Sequence, residues 1–99
     1  MNTQKDLINH VNFIVRNYSE SKKLRGITAF LKSEDHKVFL SFYFDGLISD
    51  DDLEDAYDIG AGVIANFPNE TLEEKYIRLD YPKPLPIQFL AYKREERSV

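Results

Sequence analysis

Between Val38 and Glu74 the chain has ten carboxylates and no lysine or arginine: Asp45, Asp50, Asp51, Asp52, Glu54, Asp55, Asp58, Glu70, Glu73 and Glu74. Carboxylates at this density suit metal binding, acid–base catalysis or recognition of a cationic surface. Asp50-Asp51-Asp52 lacks the alternating ligands and central glycine of a calcium loop, so no metal is expected there. Acid–base work needs a carboxyl whose proton affinity is displaced by burial or a close neighbour, which a solvated strip does not supply. There is no cysteine, which excludes thiol nucleophiles, disulfides and thiolate metal sites. The two histidines, His10 and His36, are read as structural. Gly60-Ala61-Gly62 falls inside a helical pattern, not at the strand-to-helix junction a phosphate loop requires. No catalytic residue, cofactor or metal site is expected, which leaves recognition.

A helix at about 49–67 positions most of these acids. Ser49 caps it, and Ile48 with Leu53 forms a hydrophobic staple. Leu53, Ala56, Tyr57, Gly60, Val63, Ile64 and Phe67 recur at helical spacing as its buried stripe. The small residues 60–62 predict close approach of this helix to a sheet. Asp50, Asp51 and Asp52 fill the first turn, where each carboxylate gains about 0.3–1 kcal/mol from the helix dipole. Glu54, Asp55 and Asp58 lie beyond the first turn, where the dipole does not explain them, and with Asp51 they form an outward strip. Like-charge pairs at three- or four-residue spacing (50/54, 51/54, 51/55, 54/58, 55/58) cost about 0.2–0.5 kcal/mol each. Stability alone would mix the signs, so a uniformly acidic strip points to a basic partner. The formal charge of −4 argues against direct nucleic-acid binding.

The remaining elements follow from periodicity. Leu7, Ile8, Val11, Ile14, Val15 and Tyr18 predict a first helix over about 3–19, capped by Thr3 with Asp6. Residues 26–32 and 38–44 alternate around the turn Ser33-Glu34-Asp35-His36, as in a β-hairpin. Further strands are expected over 73–81 and 87–93, joined by the stiff segment Pro82–Pro86, with a frayed tail from Arg94. The expected fold is one α+β domain over 1–99, ordered α-β-β-α-β-β, a four-stranded antiparallel sheet with two helices on one face. The other face would carry Phe30, Phe39, Tyr43, Tyr76, Leu90 and Tyr92. Phe39 and Tyr43 are its candidate partner-binding residues, beside the acidic set Asp45, Asp50, Asp51, Asp52, Glu54, Asp55 and Asp58.

No apolar run approaches a membrane span, and the polar N-terminus carries no signal core, so a cytoplasmic location is expected. On Asp45 to Asp58, on Glu70, Glu73 and Glu74, and on the compact cysteine-free α/β plan, the chain resembles small bacterial immunity proteins. These neutralise nuclease toxins in contact-dependent growth inhibition and colicin systems. The resemblance implies a stoichiometric inhibitor, not an enzyme, with a basic nuclease toxin domain, more specifically an RNase, as partner. Two other readings stand beside it. One is a homo-oligomeric structural or adaptor module, such as a homodimer burying Phe39 and Tyr43. The other is single-stranded nucleic-acid binding on an aromatic sheet face, with Arg25, Lys32, Arg78 and Lys93 as its cations.

Overall fold

The computed structural model describes residues 3–19 and 21–96. Helix α1 (Gln4–Tyr18) is followed by β1 (Leu24–Lys32), a short 3-10 turn, β2 (Lys37–Phe44), α2 (Asp50–Ile64), β3 (Thr71–Arg78) and β4 (Leu90–Lys93). This is the expected α+β order. Both helices open on a complete capping box, Thr3 with Asp6 and Ser49 with Asp52. Each box satisfies two backbone N–H groups that the first turn leaves free.

The sheet is mixed, which corrects the expected antiparallel arrangement. Its order is β3-β2-β1-β4; β1 pairs antiparallel with β2 and β4, but β2 and β3 run parallel. The cause is α2. A helix between two strands of one sheet returns the chain to its starting end, so the second strand lies parallel to the first. The two C-terminal strands therefore occupy opposite edges and do not form a second hairpin. Strand β3 also begins and ends earlier than expected, and β4 is shorter.

Both helices cover one sheet face. Leu7, Val11, Ile14 and Val15 of α1 and Ala56, Ile59 and Val63 of α2 meet Ile27, Ala29 and Leu31 of β1 and Val38, Leu40, Phe42 and Phe44 of β2. Tyr76 and Tyr92 pack against this core, not on the outer face as expected. Tyr76 stacks on Phe42, its parallel-strand neighbour, at 5.7 Å between ring centroids. Tyr92 lies under the Arg16 guanidinium of α1. On α2, Ile59 takes the buried position expected of Tyr57, whose side chain is half exposed and sits edge-on to Tyr76.

The small residues of α2 are contact points. A Cβ on Gly60 would stand 1.9 Å from the Glu74 Oε2 of β3, and one on Gly62 would stand 3.2 Å from Ile14 Cδ1 of α1. The room at Gly60 holds the Glu74 carboxyl. Its Oε1 accepts a 2.6 Å hydrogen bond from the Tyr76 hydroxyl, whereas its buried Oε2 has no partner among the described residues. Burial pushes this carboxyl up from the usual glutamate value, although the tyrosine hydrogen bond opposes the shift. A raised folded-state pKa means that the unfolded chain releases its proton first. Stability therefore falls as pH rises from the ordinary glutamate value to the raised one, then levels off. Urea unfolding of wild type and Glu74→Gln across this range should show that slope in wild type alone.

The segment from Leu79 to Phe89 connects the two edges along the β1 side of the outer face. Leu85 lies over Gly26, and the Phe89 ring packs on Phe30 at 4.7 Å. The tail is not frayed at its start. Glu96 forms two hydrogen bonds with buried Arg25, and Arg94 pairs with both Glu96 and Asp45; residues 97–99 lie outside the described residues. With Arg25 buried, Lys32 on Asp35 and Arg78 on Asp80, three of the four cations invoked for nucleic-acid binding are engaged within the chain.

Candidate partner-binding site

Helix α2 holds its acidic edge through Asp52. This residue was expected on the partner surface, but it is buried. Its carboxylate accepts from the Ser49 backbone N–H and hydroxyl, both at 2.9 Å, and from the Ser21 hydroxyl at 3.2 Å. The Lys23 ammonium stands 2.6 Å away. Burial alone would push the Asp52 carboxyl up. Lys23 and the two Ser49 hydrogen bonds outweigh it and bring the group down to about 2. The resulting stability is present above the ordinary aspartate value and is lost as pH falls through about 2. Asp52→Asn should cost about 1–2 kcal/mol at neutral pH, discounted because Lys23 is partly solvated. In acid unfolding the difference from wild type should shrink over the same interval.

Asp45 is also engaged internally. It pairs with Arg94 at 2.8 Å and accepts from the Tyr81 backbone N–H at 3.2 Å. The Arg94 hydrogen bond, followed by that of Tyr81, holds its carboxyl below the usual range.

The outward acids are placed differently. Asp50, Asp51, Glu54 and Asp58 are exposed, and none of them, nor Asp55, forms an ion pair with a cation of this chain among the described residues. Asp55 is half-buried and accepts a 2.7 Å hydrogen bond from the Ser19 hydroxyl at the end of α1. Asp51, Glu54, Asp55 and Asp58 line one shallow depression together with Asp52 and Ser21. Beside it, between the helices, runs a groove of about 500 Å³ lined by Phe13, Ile14, Tyr18, Asp55, Asp58, Ile59 and Gly62. At its far end His10 reaches from α1 to Asn66 just beyond α2. Phe13 is 56% exposed and Tyr18 70%, so large apolar rings border the acidic edge.

Periodicity alone misplaces Tyr18 and passes over Phe13. Tyr18 continues the buried spacing of α1 but lies at its last residue, beyond the core. Phe13 lies off that spacing, and a phenylalanine on the polar side of an amphipathic helix is the signal that could have singled it out.

Phe39 and Tyr43 occupy the sheet face away from the helices. Both are half-buried; Phe39 stacks on Phe30 at 6.3 Å, and the Tyr43 hydroxyl lies 3.5 Å from Thr28 Oγ1. They do not share a surface with the acidic edge. Among the described residues, no group of three or more His, Asp or Glu side chains could hold a metal ion, and no helix is long and apolar enough to cross a membrane.

Residues 20–96 match the MafI2 immunity protein family, and the chain belongs to that family. The match spans all four strands and α2, while α1 lies outside it. A search of curated proteins finds no match. Immunity function implies a toxin as the partner.

Proposed function

We propose that this immunity protein neutralises a cytotoxic nuclease toxin, specifically an RNase, as a stoichiometric inhibitor acting through the acidic edge of α2. The observation that supports this is the set Asp50, Asp51, Glu54, Asp55 and Asp58, which forms no ion pair with a cation of this chain among the described residues. A nuclease holds phosphates on a basic surface, and carboxylates aligned on a rigid helix can occupy it in their place. Asp52 anchors the start of α2 by pairing with Lys23, and the Asp45 charge is used in pairing with Arg94. Inhibition by occupation requires no catalysis by this chain. The complex would form in the cytoplasm, where an RNase toxin meets its substrate, whether delivered by contact-dependent growth inhibition or by a colicin-like route.

The test is titration of a basic nuclease toxin domain with the full chain, read by RNA cleavage. Activity should disappear at equimolar protein. Tight binding with cleavage intact would contradict the mechanism. A homodimer through Phe39 and Tyr43 gains no specific support, since these side chains already pack against Phe30 and Thr28.

A further inference from the structure

The groove between α1 and α2 combines features that suit one kind of side chain. Phe13 and Tyr18 are large rings left open to solvent on α1. Asp55 and Asp58 of α2 face the same space. Gly62 brings the helices together, since a Cβ there would press on Ile14. Ile14 and Ile59 make the floor apolar. The nearby cation on α1, Arg16, is turned away: its guanidinium lies over Tyr92, and its Nε donates to Asn12 Oδ1 at 2.9 Å.

We propose that this groove receives an arginine side chain of the toxin partner, with its guanidinium against the Phe13 and Tyr18 rings and paired to Asp55 and Asp58. The proposal rests on the reading that the partner is a basic protein, and it adds which group enters and where. The choice of arginine follows from geometry. A planar guanidinium can lie on a ring face and still direct its N–H groups at carboxylates in its own plane, whereas an ammonium is a compact, strongly hydrated charge. The same chain already uses this combination internally, where Arg25 lies over the Tyr81 ring at 5.7 Å while donating twice to Glu96. The acidic edge outside the groove would attract the partner from a distance, and the groove would hold it once docked.

The test is a nuclear magnetic resonance titration of the full chain with two blocked tripeptides at millimolar concentration, acetyl-Gly-Arg-Gly-amide and acetyl-Gly-Lys-Gly-amide. The arginine peptide should shift the amide signals of Phe13, Tyr18, Asp55, Asp58 and Gly62 more than those of Asp50, Asp51 and Glu54. The lysine peptide should bind more weakly at the same signals. Phe13→Ser combined with Tyr18→Ser changes exposed side chains and should keep the fold while weakening arginine binding about fivefold. Absence of shifts, equal response to both peptides, or affinity unchanged in the double variant would overturn the proposal. Because the titration contains no toxin, its failure is separable from failure of the inhibition test. Equimolar inhibition with an unresponsive groove removes the arginine site alone, whereas a responsive groove with no inhibition removes the nuclease reading.

Discussion

Glu96→Ala should destabilise the fold by about 3–5 kcal/mol, because it strands a buried cation. Arg25 is 2% exposed, and Glu96 meets it with Nε–Oε2 at 2.6 Å and Nη2–Oε1 at 3.0 Å. Its Nη1 donates to the Leu79 carbonyl at 2.7 Å, which would be the main remaining acceptor. Arg94 also loses Glu96 but keeps Asp45. A domain of this size has about 5–15 kcal/mol in total, so the variant should unfold at much lower urea. The loss belongs to the stranded charge rather than to the worth of the pair. Replacing both partners, as in Arg25→Met with Glu96→Leu, should therefore recover most of the stability. A double variant as unstable as Glu96→Ala alone would show that the pair is not the cause.

The elements were largely legible in the sequence, and the sheet topology was not. Capping residues and helical spacing act locally, so Thr3 with Asp6 and the Ser49 cap could be read directly, whereas the role of Asp52 in the second capping box was not. The partner of β3 is a tertiary choice: its alternation fits an antiparallel or a parallel neighbour equally well. The informative clue was the long helical crossover after β2, which favours a parallel return. Charge behaved similarly. The acidic stretch is evident from composition, but its division into used and free carboxylates is not. Asp52 and Asp45 meet Lys23 and Arg94, residues distant in sequence. Phe39 and Tyr43 alternate with the core residues of β2, so their place on the sheet face away from the helices was legible. The fold puts a sheet and a helix layer between them and the acids.

The other large expected effect concerns association. Asp51 and Glu54 stand on the acidic edge clear of the residues lining the inter-helix groove. Asp51→Lys with Glu54→Lys exchanges two negative charges for two positive ones on that edge. Electrostatic steering raises association rates by about 10–10³-fold and fades with salt, because the Debye length falls from about 30 Å at 0.01 M to about 3 Å at 1 M. The double variant should associate with a basic nuclease toxin domain about tenfold or more slowly at low salt. Relief of like-charge pairs with Asp55 and Asp58 offsets some of the lost helix-dipole stabilisation, so the fold should persist. The most direct measurement is the stopped-flow association rate of wild type and this double variant with that domain, from low to high ionic strength. Rates that differ about tenfold or more at low salt and converge at high salt are the predicted result; equal rates at low salt would contradict the claim that this edge meets a positively charged surface.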